Sequence, residues 1–308
     1  MKKRILFAAQ IALLILFTVS FLATVFQFLG SSNPLSKFDH NDAVYNRIEA
    51  FDPALARLST LKKLEQYCDS IYAQKVFAGG HDDFAATYTD IVSTAVRSRF
   101  FHGYSYYGYA DNYVGALAAK ISIPGLSALV IPDEILKHPY AACSQQSIVM
   151  MEVLKNRGIS TRKISFQGKV YGGHFAFEVF YDGGWHYHDP NMEPDKAVLN
   201  QYQRPGIAFL VEHKDVLLKA YGRYPTAEVM DIYPTYAYGP IDKFPAPKAI
   251  IFQRITIFLS YSIWLFFLVA FLLVRRAYRR IGKIIVYDNV FPMRTIQPGM
   301  ASAYYPGA

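Results

Sequence analysis

Two stretches of this chain carry almost no polar position. Ile5 to Leu29 holds no charge over 25 residues, with Gln10 and Gln27 its most polar members. Ile250 to Val274 is nearly as apolar, broken only by Gln253 and Arg254 near one end. A helix needs roughly 20 apolar residues to cross a bilayer, so both stretches qualify. The alternative, a buried core helix, fits less well, because core helices are rarely apolar all round for this long. Between them the pattern changes to amphipathic periods. Leu55, Leu58, Leu61, Leu64, Tyr67 or Cys68, and Ile71 recur every three or four positions, which predicts a helix over Asp52 to Gln74. Pro53 suits its first turn. Gly79-Gly80 breaks the chain. Asp82 or Asp83 then caps a second helix to about Arg99, with Phe84, Tyr88, Ile91, Val92 and Ala95 inward.

The Tyr/Gly-rich run "FFHGYSYYGYADNYVG" either lines a groove or is a loop packed on its own rings. "ISIPGLSALVIP", from Ile121 to Pro132, is an apolar connector, buried or touching the nearby bilayer. A third helix is predicted over Tyr140 to Asn156, with Ile148, Met151 and Leu154 or Lys155 on one face. Gly158 is placed to take the left-handed conformation that stops it. Three strands follow: "TRKISFQ", "HFAFEVFY" and "WHYHD". Asp182-Gly183 suits a tight hairpin turn between the last two. Beyond Pro190 the chain is Tyr- and Pro-rich, and Pro240, Pro245 and Pro247 form a stiff lead into the second apolar stretch.

Charge adds an orientation. Lys2, Lys3 and Arg4 precede the first stretch, and Arg275, Arg276, Arg279, Arg280 and Lys283 follow the second. Lys and Arg stay on the cytoplasmic side, so both termini are expected inside and residues from about 31 to 248 outside. The first stretch is too long for a cleaved signal peptide, and Phe28-Leu29-Gly30 lacks a small-x-small cleavage pattern. With Arg294, the two ends hold nine Lys/Arg against one acid, Asp288, which equals the whole net charge of +8. The outer region is therefore neutral. The basic balance speaks for topology and for contact with anionic lipid, and nucleic acid is not an expected partner. The expected organisation is an anchor over 1–30, an extracytoplasmic domain over 31–248, a second transmembrane helix over 249–274 and a basic cytoplasmic tail over 275–308.

The two cysteines are Cys68 and Cys143. Cys68 falls on an apolar stripe and reads as a small core residue. In an oxidising compartment the pair could form a disulfide or a redox sensor, provided the two meet. Cys143 stands where a helix begins, which is an unusual place for a core thiol. It has company further on. If Asp182-Gly183 is a two-residue hairpin loop, Tyr181 faces Gly184 and Ala176 faces Asp189. His174 and Asp189 then become diagonal neighbours, within side-chain reach. The same register puts Glu178, Trp185 and Tyr187 on the face of His174 and sends His186 and His188 to the other. That weighs against a metal site built from His174, His186, His188 and Asp189, which would need to converge. A helix N-terminus and a neighbouring imidazolium both favour a thiolate, and an acid on the far ring nitrogen fixes the imidazole. Cys143, His174 and Asp189 thus form a candidate nucleophile, general base and orienter for acyl transfer. The amide of Cys143 is a candidate oxyanion donor, while Gln145 and Gln146 read as ordinary helix residues.

"AACSQQSIVMMEVLKNRGISTRKISFQG…GGHFAFEVFYDGGWHYHDP" resembles the transglutaminase-like core of the papain-like cysteine superfamily. The matching residues are Cys143, Gly158, Ile159, Arg162, His174, Glu178, Trp185, Asp189 and Pro190, over about 138–192 and extending to 82 if the preceding helix belongs. Ala141 stands where that family usually has glycine. The resemblance implies an α+β, papain-like fold, a nucleophile helix packed on an antiparallel sheet, here set between two transmembrane helices. It implies a membrane-anchored cysteine protease, amidase or acyltransferase that works through a thioester, with Cys143, His174 and Asp189 catalytic and no cofactor or metal. No calcium-loop pattern occurs. The small anchored domain is bacterial in style, which points to the plasma (inner) membrane and to a peptide or protein substrate in the cell envelope. The bilayer itself and other membrane proteins are the further expected partners. An alternative from another class is a non-catalytic binding or assembly module of a membrane complex, to which two spans and the tail "IIVYDNVFPMRTIQPGMASAYYPGA" are suited.

Overall fold

The computed structural model describes residues 2–29, 51–78, 83–121 and 128–290. The expected tether over Ser31 to Asn46, the Gly79-Gly80 break, most of the apolar connector and the tail beyond residue 290 lie outside them. The described chain falls into two compact units, residues 1–26 with 259–308, and residues 27–258.

The first unit holds most of two helices, the second of which belongs to the other unit up to Phe258. Helix α1 (Lys2–Leu29) and helix α11 (Pro247–Val290) are both long and apolar enough to cross a membrane. They pack antiparallel. Thr24 Oγ1 donates to the carbonyl of Ser260 at 2.9 Å, Trp264 sits against Phe17 and Phe21, and Phe7 meets Tyr278. α11 continues past the expected end at Val274 through the basic residues that follow. Arg, Lys and Ala are strong helix formers, and no glycine or proline intervenes before Gly282.

The second unit is α+β. A four-stranded antiparallel sheet has the order β3-β2-β1-β4, with β1 (Thr161–Gln167), β2 (Gly173–Tyr181), β3 (Gly184–His188) and β4 (Ala237–Ile241). The alternation along β2 divides two cores. Phe177 and Val179 face α2 (Leu61–Phe77), α3 (Phe84–Arg99) and α6 (Cys143–Lys155), where Leu64, Cys68, Val92, Val149 and Leu154 are buried. Ala176 on the opposite face joins Ile164, Phe166 and Tyr187 beneath short helices that follow the sheet. Those are α7 (Lys196–Asn200), α8 (Ile207–Glu212), α9 (Lys214–Ala220) and α10 (Thr226–Ile232). Each fully buried Leu, Ile or Phe stabilises the fold by about 1.5–3 kcal/mol.

Several expectations shift. The first predicted helix divides in two, because its sequence holds two caps. Asp52 accepts from Ala54 N at 2.8 Å and closes a 3-10 turn over Pro53–Arg57. Thr60 then caps α2 through Lys63 N at 3.2 Å. Asp83 caps α3, but Phe84 is exposed and lies edge-on to Tyr72 rather than inward. The Tyr/Gly run becomes helix α4 (Tyr109–Ile121) from its middle onward. A short helix α5 (Pro132–Ile135) precedes the Cys143 segment. Helix α6 starts three residues later than predicted, at Cys143 itself, and stops at Gly158 with φ +72°. The Tyr- and Pro-rich region forms β4 and the helices over the second core, in addition to the stiff lead. Its apolar residues were too closely interrupted by polar ones and by proline to show a long period.

Candidate active site

The site begins at the hairpin. Asp182 and Gly183 both have positive φ, +47° and +73°, and Tyr181 pairs with Gly184. This is the two-residue turn, and it fixes the register: Phe180 opposite Trp185, Glu178 opposite Tyr187, Phe177 opposite His188. One step further along, His174 Nε2 meets Asp189 Oδ2 at 2.6 Å, with both side chains buried.

Asp189 is held from every side. Tyr187, Tyr221 and Tyr233 each donate a hydroxyl to Oδ2, at 3.2, 3.1 and 3.1 Å. The amides of Asn191 and Met192 donate to Oδ1 at 3.2 and 3.0 Å. Burial alone would raise this carboxyl, but the charge on His174 and these donors hold it below its ordinary value. The tyrosines move the other way: burial and the Asp189 charge push all three hydroxyls well up, so they remain donors.

His174 lies between Phe166, stacked at 5.7 Å, and Tyr233, edge-on at 6.0 Å. Burial would lower its pKa, but the Asp189 carboxylate outweighs burial and raises it to about 10, with a hydrogen bond to Cys143 adding to the rise. Nε2 is committed to Asp189, so Nδ1 is the ring nitrogen left for the thiol. Cys143 is the first residue of α6 and is buried. Amides of a first helical turn have no intrahelical partner, so the Cys143 N–H is available to an oxyanion. The three expected residues are therefore brought together.

The neighbouring glutamines are committed elsewhere. Gln145 Oε1 accepts from Ala142 N and Ser105 N, and its Nε2 donates to the carbonyls of Ser105 and Leu129. Gln146 Nε2 donates to the carbonyl of Ala141. Glu178, Arg162 and Trp185 also have structural work. Glu178 is fully buried, takes Arg162 Nε at 2.6 Å and Ile207 N at 2.8 Å, and the guanidinium lies between Trp185 and Tyr238. This clamp ties β1, β2, β3 and β4 to α8.

The register sends His186 and His188 away from His174. His186 bonds the carbonyls of Arg204 and Tyr181, and His188 Nδ1 meets Arg204 Nη1 at 3.0 Å. Among the described residues, no group of three His, Cys, Asp or Glu side chains is placed to hold a metal ion. Cys68 and Cys143 are both free, and burial pushes the Cys68 thiol up to about 12, as suits an inert core residue. Of the two polar residues near the start of the second apolar stretch, Arg254 is exposed and Gln253 is buried.

Sequence reasoning missed part of the site. Tyr187 was placed on the right face without a role, and Tyr221 and Tyr233 come from a region that showed no period. His102, from the Tyr/Gly run, receives the side-chain N–H of Asn191 on Nδ1 at 2.7 Å, and burial with the charge on His174 lowers its pKa. Tyr104 from the same run bonds Ser144 beside Cys143. The only signal for these was an unusual density of aromatic residues. No protein family, curated protein or solved structure matches the chain.

Proposed function

We propose that this chain is a membrane-anchored cysteine enzyme of acyl transfer, with a transglutaminase-like, papain-like core facing away from the cytoplasm. The observation that carries the reading is the Cys143–His174–Asp189 array, with a buried imidazole bonded to a carboxylate on one side and to the thiol at a helix start on the other. The acyl donor is a peptide or side-chain amide. Cys143 passes its proton to His174 Nδ1, and its sulfur attacks the carbonyl carbon. The negative oxygen that forms lies against first-turn amides. The C–N bond then breaks, and the imidazolium gives its proton to the leaving amine. A thioester remains on Cys143, and water or a second amine attacks it as His174 takes the incoming proton; the C–S bond then breaks, and the released sulfur and the imidazolium restore the starting pair. Asp189 holds the ring and balances the imidazolium throughout. The basic residues beside both apolar helices favour termini in the cytoplasm and the region from about 31 to 248 outside.

The test is alkylation of Cys143 by iodoacetamide at pH 7, followed by peptide mapping. A wild-type rate at least about 10-fold above that of His174→Ala is expected, since the imidazolium is the charge partner of the thiolate. Equal slow rates in both proteins would sink the enzyme reading and leave the assembly module in its place.

A further inference from the structure

The nucleophile helix is tied to the last long helix by a pair of glutamines. Residues 128–130 run beside residues 105–107, with Leu129 N donating to the carbonyl of Ser105 at 3.0 Å. Gln145, two residues after Cys143, grips this ribbon from one side through Ser105 and Leu129. Gln253 of α11 grips the same ribbon from the other. Its Nε2 donates to the carbonyl of Ala128 at 2.7 Å, and its Oε1 accepts from Val130 N at 3.0 Å and the Tyr107 hydroxyl at 3.4 Å. A second tie follows one turn on, where Asn112 Nδ2 of α4 donates to Thr256 Oγ1 at 2.9 Å.

The level of these ties along α11 matters. Its apolar run begins at Ile250, so Gln253 and Thr256 lie about 5 and 9 Å into the run at a 1.5 Å rise per residue. That is the first third of a stretch able to cross a hydrocarbon layer about 30 Å thick. Gln253, Thr256 and Asn112 are all buried, and the amide of Gln253 is satisfied by protein alone. Polar groups at such a depth in lipid must be satisfied in this way. The outward face beside them is apolar except for Arg254, one turn from the start of the run, whose long side chain can reach the headgroup level. Ile251, Ile255 and Phe258 on α11 are 59, 53 and 62% exposed, and Leu117 and Ile121 on α4 are 46 and 86% exposed. Lys120 lies over the Tyr109 ring at 5.3 Å, a pairing of the residue types found at a membrane–water boundary.

We propose that α4 is an interfacial helix, seated in the outer surface of the bilayer beside α11, and that the two-glutamine tie thereby holds Cys143 at the lipid surface. The acyl donor is then an amide carried by a membrane-anchored molecule. The substrate class rests on the acyl-transfer reading above. The seat of α4 stands independently, on the Asn112–Thr256 tie to α11 and on the exposed apolar residues that both helices carry.

The full-length protein, reconstituted in phosphatidylcholine vesicles, tests both parts. A photoreactive p-benzoylphenylalanine replaces Leu117 or Ile121 in turn, with Ile255 as the lipid-facing standard and the exposed Asp215 as the aqueous one. Lipid adducts at 117 and 121 within about threefold of those at 255 are expected if α4 lies at the headgroup boundary. Adducts no higher than at 215 would overturn the seat. In the second arm, Cys143 is labelled by a maleimide on a phosphatidylethanolamine headgroup and, separately, by the same headgroup maleimide without acyl chains. Confinement to the surface should raise the lipid-borne rate by about 10-fold or more. A fast soluble reaction with no gain for the lipid-borne one overturns the substrate class alone. If the soluble reaction is slow and indifferent to His174→Ala, the acyl-transfer reading falls and takes the substrate class with it. The adducts then still decide the seat of α4.

Discussion

Asp189 is where the site's chemistry is concentrated. One buried oxygen receives His174 and three tyrosine hydroxyls, so its charge is shared among donors that cannot leave. A hydrogen bond to a charged group contributes about 1.5–3 kcal/mol, so Tyr221→Phe should lower stability by that amount in a denaturant titration. The same position sets a pH dependence. The raised pKa of His174 gives a stabilisation fully present below 6.5 and lost as pH climbs towards about 10. The lowered pKa of Asp189 gives one present above 3.8 and lost as pH falls through its lower folded value. The stability difference between wild type and Asp189→Asn should therefore be greatest between 3.8 and 6.5 and shrink on the way to pH 10. Melting temperatures across that range check it, and a difference that grows above pH 8 would contradict the assignment.

At the scale of elements, what fixes the site is the hairpin register and the clamp beneath it. Asp182-Gly183 sets the pairing that puts Asp189 beside His174, and Arg162 with Glu178 locks the strands that carry them. Glu178→Gln leaves Arg162 without its charge partner and Ile207 N with a weaker acceptor. A loss of about 3–5 kcal/mol is expected, whereas replacing both residues by methionine should cost less than the single change. Urea unfolding of the two variants beside the wild type separates these cases. β1, β2, β3 and α6 were legible because each shows a period bounded by its own stop signal, whereas β4, with Pro240 inside it, was not. The division of the first helix was legible only in hindsight, since Asp52 and Thr60 are both good caps and periodicity runs through them. The short helices after β3 bury one to three residues apiece, too few to set a period in sequence.

For the whole molecule, the antiparallel packing of α1 and α11 accords with basic residues at both ends of the chain. Protease added to intact cells should cleave within residues 51–246 and spare epitope tags at both termini. Loss of either tag would reverse the proposed orientation.

What the sequence determined by itself was local: two helices too apolar for water, three strands, a helix starting at a cysteine, and a hairpin whose dipeptide permits one register. These depend on neighbours a few residues apart. His174 and Asp189 belong to that class, because a two-residue turn joins their strands. Only the tertiary structure decided what surrounds them. The tyrosines on Asp189 stand up to 44 residues away, and the two glutamines joining α6 to α11 act through a ribbon distant from both in the chain. Such contacts depend on how the sheet's two faces and the long helices fill space, and no period in the sequence encodes that.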